Sequence, residues 1–283
     1  MGINKIGVIG AGIMGSGISQ VCAAGGLQVL MIDVSEAALQ RGVAAITKSL
    51  ERQVKKEKIT AADQAATLAR ITTSLRYEDI ADRDLVIEAA TENEALKLKI
   101  LREVDALLPP DRIMVTNTSS YSITKLAAST KHPERFMGMH FFNPVPVMEL
   151  VEVVGGMRTS EACFATVHAL AERLGKKPVA VKNSPGFVVN RILCPMINEA
   201  IFAFQEGLAP AEQIDSAMKL GTNMPVGPLE LADIIGLDTL LTIMQTFYEG
   251  FEDTKYRPVL LLKEMVDAGF LGRKSGKGFY TYE

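Results

Sequence analysis

The sequence predicts an α/β chain in two parts: an open, doubly wound, mostly parallel sheet carrying an inserted helical hairpin, and then an all-α region. Three observations predict it. Short runs rich in Val, Ile and Leu alternate with longer amphipathic stretches through the first two-thirds of the chain, as expected of strands buried on both faces and joined by crossover helices. The alternation stops near residue 183, after which only helical signals recur, separated by Gly and Pro. The length of 283 residues, 48% hydrophobic, suits two ordinary domains. We expect one domain over 1–183 and a second over 184–283.

The elements follow in order. KIGVIG (5–10), LQVLMID (27–33), DLVIEAA (84–90) and RIMVTNT (112–118) read as buried parallel strands. Helical patterning covers 13–25, 35–58 and 92–107, and the stretch 44–70 is long enough for a helical hairpin turning near Lys58–Thr60. FMGMHF (136–141) and VMELVEVV (147–154) read as two more strands. The link between them, with Pro144 and Pro146, is too short for a parallel crossover, so they should pair antiparallel. A helix over 161–174 ends at Gly175, and PVAVK (178–182) forms a last strand. SPGFVVNRILCPMINEAIFAFQEG predicts a helix capped by Ser184, with Pro185 in its first turn, a kink from Pro195 near Arg191 and a stop at Gly207. Further helices are expected over 210–220, 228–235, 237–250 and 257–268.

Composition excludes several function classes. A net charge of −3 argues against nucleic-acid binding. Three cysteines, Cys22, Cys163 and Cys194, show no CxxC spacing, which suits reduced thiols in a cytoplasmic setting. No His or Cys pair falls at metal-ligand spacing. The N-terminal stretch lacks the apolar segment of a signal peptide, and no apolar run reaches membrane-spanning length.

GAGIMG (Gly10, Gly12, Ile13, Met14, Gly15) completes GxGxxG between a buried strand and a helix, the context in which this motif binds a dinucleotide in a Rossmann-type domain. Gly10 allows the tight turn, Gly12 lets a pyrophosphate approach the backbone, and Gly15 lets helix and strand pack closely. Asp33 ends the second strand, where an acid accepts hydrogen bonds from a ribose and repels a 2′-phosphate. This favours NAD over NADP, although an Asp there also suits helix capping near Ser35.

His140 and Glu152 lie where antiparallel pairing would set them opposite one another. Glu152 shares a strand face with Leu150 and Val154, and an unpaired carboxylate on so apolar a surface is costly. A histidine across the strands resolves that cost. The carboxylate would fix the imidazole tautomer and stabilise imidazolium, which suits a general base; a plain structural contact closing the hairpin fits the spacing equally. Ser119, in NTSS (117–120), follows a strand at the edge where open sheets bind ligands, and its hydroxyl suits either a substrate oxygen or a helix cap. Asn190 is either a polar group reaching across the domain boundary or a core amide satisfied locally. Ser49, Arg52 and Lys56 share one face of the hairpin's first helix, solvated by default but suited to a phosphate-bearing substrate.

GAGIMGSGISQ, EAATEN, NTSSYSIT, MHFFNPVPVMELVEVV, KNSPGFVVNRIL, MKLGTNMPVGPLELAD and GRKSGKGFYTY resemble the short-chain L-3-hydroxyacyl-CoA dehydrogenases, nearest to their bacterial 3-hydroxybutyryl-CoA members. The resemblance runs from residue 3 to the C-terminus. It implies His140 as catalytic base, Glu152 as its carboxylate, Ser119 as a contact of substrate and nicotinamide, and Asn190 near the substrate's reacting oxygen. It further implies Asp33, Glu92, Lys97, Asn143 and Lys274 as NAD contacts, and Ser49 and Lys56 as coenzyme A contacts, with Arg52 added by the helix-face argument. An acyl-CoA substrate such as acetoacetyl-CoA and a homodimer joined through the helical domain are implied as well. Two rivals stay open from sequence: a related dehydrogenase of free hydroxy or sugar acids, and a dinucleotide-binding protein that keeps the fold without turnover.

Overall fold

The computed structural model describes residues 2–282. Strand β1 (Lys5–Ile9) leads through the glycine loop into α1 (Ile13–Ala24), then β2 (Gln28–Ile32), the hairpin α2 (Glu36–Lys55) and α3 (Ala61–Ala69), and β3 (Ile71–Ser74). Strand β4 (Leu85–Glu88), α4 (Glu94–Leu107), β5 (Ile113–Thr116) and a single turn α5 (Ile123–Ala127) follow, then β6 (Phe136–Phe141), β7 (Leu150–Gly155), α6 (Glu161–Arg173) and β8 (Lys177–Lys182). Among the described residues these strands form one eight-stranded sheet in the order β3-β2-β1-β4-β5-β6-β7-β8. Only β6 and β7 pair antiparallel, as their short link requires.

Local chemistry sets most boundaries. Ser35, Asn93, Ser122 and Ser160 each accept a backbone N–H as the N-caps of α2, α4, α5 and α6. Thr60 and Asp63 form a reciprocal capping box that starts α3 at the predicted hairpin turn. One apolar core joins β1, β4, β5, β6 and β7 to α1 and α6, and a smaller one, including Leu39, Ile46 and Leu50, seats the hairpin. The sheet ends on β8, whose exposed residues and Lys177, Pro178 and Lys182 suit an unpaired edge.

Two expectations need correction. Strand β3 was not expected: ITTS has two exposed threonines and no apolar run, so it carries little strand signal. Helix α7 (Val189–Gln205) does not begin at Ser184. Gly186 and Phe187 both have positive φ, 72° and 51°, and two left-handed residues cannot open a right-handed helix. The turn they make also lets Gly186 lie against Phe247, where an added Cβ would stand 2.2 Å from the ring. The other two histidines, His132 and His168, form part-exposed pairs with Glu134 at 3.2 Å and Glu172 at 3.8 Å.

The chain divides at Asn183 and Ser184 into two compact units. The second holds α7, α8 (Ala211–Thr222), α9 (Pro228–Ile235), α10 (Leu237–Phe251) and α11 (Leu260–Asp267) around Ile197, Ile201, Leu240, Met244 and Phe247. Its C-terminal segment is fastened by two buried carboxylates: Asp233 accepts from the Phe279 and Tyr280 backbone and the Tyr282 hydroxyl, and Asp215 from the Tyr280 hydroxyl. No helix among the described residues is long and apolar enough to cross a membrane.

Candidate active site and cofactor cleft

The glycine loop closes on itself through contacts that admit no side chain. Gly10, at φ 103°, lies against Ala89, and an added Cβ would stand 2.6 Å from the Ala89 carbonyl oxygen. A Cβ on Gly15 would stand 1.8 Å from the Gly10 carbonyl oxygen. A Cβ added at Gly12, the N-cap of α1, would meet nothing within 4 Å, and no side chain caps the helix. The first turn of α1 thus has no side-chain cap and a bare glycine at its approach, the arrangement that receives a pyrophosphate.

Beside the loop lies a cleft of about 440 Å³ lined by Ile13, Met14, Asp33, Val34, Tyr77 and Leu96 among others. Asp33 is fixed at its floor: its carboxylate accepts the Ala11 N–H at 2.9 Å and the Ser35 N–H at 3.0 Å. The helix cap itself is Ser35, so Asp33 braces the glycine loop against the β2–α2 turn. These residues fit a dinucleotide: a bare glycine at the approach, a helix start with no side-chain cap, and an oriented acid at the end of the second strand.

At the opposite strands of the sheet, His140 and Glu152 are direct cross-strand partners. The imidazole Nδ1 lies 2.8 Å from the Glu152 Oε2. Both are buried, at 5% and 1% exposure. A carboxylate can only accept, so Nδ1 donates to it. Phe142 packs on the imidazole at 4.4 Å between centroids. The Asn117 side chain accepts the Phe141 N–H at 2.8 Å, tying the end of β5 to the strand that carries His140.

A second polar cluster fills the carboxyl ends of β4 and β5. Glu92 Oε1 accepts from the Thr118 hydroxyl, the Ser119 N–H at 3.0 Å and the Ser120 hydroxyl at 3.1 Å, and the Ser119 hydroxyl lies 3.4 Å away. Lys97 is 1% exposed, and its ammonium reaches both Glu88 oxygens at 2.9 and 3.1 Å and Glu92 at 3.2 Å. Burial disfavours the charged forms here, but the opposite charges outweigh it. Lys97 is held above its ordinary range by Glu88 and Glu92, and Glu92 below its own by Lys97 and the bonds from Thr118 and Ser119. The helix cap of α5 is Ser122, so Ser119 is not used as one.

The remaining candidates lie on other elements. Asn143 is exposed on the β6–β7 link. On α2, Ser49 is half-buried and Arg52 exposed, and Lys56, also exposed, is the residue that caps its C-terminal end. In the helical unit, Asn190 is half-buried in the first turn of α7, and Lys274 pairs with Asp238 at 2.5 Å. Sequence reasoning passed over Glu88. Its signal was a carboxylate closing a fully apolar buried strand, which demands a partner.

Residues 5–184 match the model of the 3-hydroxyacyl-CoA dehydrogenase NAD-binding domain, and residues 186–282 match that of the 3-hydroxyacyl-CoA dehydrogenase C-terminal domain. The chain belongs to the 3-hydroxyacyl-CoA dehydrogenase family. It is an NAD-dependent dehydrogenase, and the cleft beside the glycine loop has the lining its cofactor needs. Among family members, the chain is 52% identical over 280 residues to a 3-hydroxybutyryl-CoA dehydrogenase of Bradyrhizobium diazoefficiens, covering 99% of this chain and 96% of that one. It is 49% identical over 278 residues to one from Clostridioides difficile, covering 98% and 99%. In three dimensions it is similar to the (S)-3-hydroxybutyryl-CoA dehydrogenase PaaH1 of Ralstonia eutropha, with a TM-score of 0.97 and 58% identity over 100% of both chains.

Proposed function

We propose that this dehydrogenase interconverts (S)-3-hydroxybutyryl-CoA and acetoacetyl-CoA, with His140 as general base. The observation that carries the proposal is the buried His140–Glu152 pair, 2.8 Å apart. In the oxidative direction Nε2 takes the proton of the 3-hydroxyl as hydride leaves the same carbon. NAD, when bound, supplies the hydride acceptor. Glu152 holds Nδ1 protonated and compensates the imidazolium charge that forms. Ser119, oriented through its backbone by Glu92, donates to the substrate oxygen, as does the Asn190 amide. In the reverse direction the imidazolium returns its proton to the new alkoxide.

Gly10, Gly12, Ile13, Met14, Gly15, Asp33, Glu92, Lys97, Asn143 and Lys274 are assigned to the cofactor. Ser49, Arg52 and Lys56 are assigned to coenzyme A, for which an exposed basic helix face supplies charge-assisted donors. The two units detected as compact bodies serve as a cofactor domain and a substrate and dimerisation domain, the working form is a homodimer, and the compartment is the cytoplasm. The names of the relatives support the substrate chosen.

The test is the rate of NADH loss with acetoacetyl-CoA, compared with NADPH and with longer 3-ketoacyl-CoAs. Fast oxidation of NADH with the four-carbon thioester is expected. NADH binding without turnover, or turnover only of free acids, would refute the proposal.

A further inference from the structure

Glu88 closes β4 with no exposed surface, after Leu85, Val86 and Ile87, which are also fully buried. A carboxylate in such a place is tolerated only when its oxygens are engaged. Here both are. Oε1 accepts from Lys97 at 2.9 Å and from the Ala90 N–H at 2.8 Å, and Oε2 accepts from Lys97 at 3.1 Å and from the Thr116 hydroxyl at 2.6 Å. Lys97 in turn spans the 3.2 Å to Glu92. Glu92 sits on the segment between β4 and α4, and its other oxygen receives the Ser119 N–H. A continuous chain of charge-assisted bonds therefore runs from the rigid end of β4 to Ser119.

We infer that Glu88 is a positioning residue of the reaction: acting through Lys97 and Glu92, it fixes the backbone of Ser119. The inference rests on the function proposed above, since it assigns Ser119 to the substrate oxygen. Two features favour placement over packing. An apolar side chain would fill the end of β4 without the cost of desolvating two charges, and replacing a buried ion pair by apolar groups is often neutral or stabilising. In addition, Lys97 joins Glu92 to the end of β4, and its fully buried carboxylate partner among the described residues is Glu88. Without Glu88 the Lys97 ammonium keeps a single carboxylate and the Ala90 carbonyl, and the ion-pair link from the end of β4 to Glu92 is lost.

The test compares Glu88→Gln with the double variant Glu88→Leu/Lys97→Met, measuring turnover per NADH-binding site, KM for acetoacetyl-CoA and Tm. For Glu88→Gln, turnover per site should fall about 10- to 100-fold, the scale of a misplaced reacting group, with KM within about threefold. The double variant removes the buried charges together, so its Tm should return toward wild type while its turnover stays low. Recovery of both Tm and turnover in the double variant would make Glu88 a packing residue and overturn the inference, as would a wild-type rate per site in Glu88→Gln. If neither variant accumulates, Thr116→Val decides: it keeps both charges and removes the 2.6 Å bond to Glu88. Turnover per site should then fall at constant KM, and an unchanged rate refutes the inference. Wild-type protein inactive with acetoacetyl-CoA would instead refute the proposed function itself.

Discussion

Replacing Glu152 by Gln isolates the charge of the buried pair from its shape. The amide oxygen can still accept the Nδ1 proton, so the 2.8 Å contact and the tautomer survive. What is lost is the negative charge facing the imidazolium that forms in the transition state. A hydrogen bond to a charged group contributes about 1.5–3 kcal/mol. Two unit charges about 4 Å apart at an effective dielectric near 20 interact by about 4 kcal/mol. The loss in kcat should therefore fall between roughly 10-fold and 10³-fold. Because Glu152 is 1% exposed and faces His140 rather than the cofactor cleft, KM for NADH should hold. Removing the charge of one partner in a buried pair should also lower Tm. The assay is steady-state NADH oxidation with acetoacetyl-CoA, beside a thermal melt. A kcat within about twofold of wild type in a folded variant would refute the reasoning, because no charge would then form on His140 during turnover.

The glycine loop yields a paired prediction. Gly12→Ala places its methyl in open space and should melt as wild type while binding NADH more weakly by titration. Gly15→Ala meets the Gly10 carbonyl oxygen at 1.8 Å and should lose about 1–3 kcal/mol, read as a Tm lower by several degrees. Arg52→Ala with Lys56→Ala removes two exposed charge contacts worth up to about 0.7 kcal/mol each, so KM for acetoacetyl-CoA should rise about tenfold at constant kcat. Glu92, held below its ordinary 4.5 mainly by Lys97 against the opposing effect of burial, contributes stability above that value and loses it as pH falls through its folded value. Melts between about pH 6 and about pH 3 should show a steeper loss in wild type than in Glu92→Gln.

The parallel strands were legible in sequence because burial on both faces leaves unbroken Val, Ile and Leu runs, as in KIGVIG and DLVIEAA. The antiparallel turn at β6–β7 was legible from loop length alone. The His140–Glu152 contact followed from strand pairing, since register sets opposite residues face to face. Strand β3 was hidden because an edge strand with exposed threonines has no such run. The start of α7 was misread because Ser-Pro is a common opening to a helix, and only packing on Phe247 reveals the left-handed turn at Gly186 and Phe187. Glu88 escaped notice for a related reason. Its partners Lys97 and Thr116 come from different elements, and only the sheet order brings them together.

The most direct test of the account is turnover in His140→Gln, measured with acetoacetyl-CoA beside a fluorescence titration of NADH. The account predicts a kcat lower by about 10²–10⁴-fold with NADH affinity nearly intact. Undiminished turnover in that variant would contradict it.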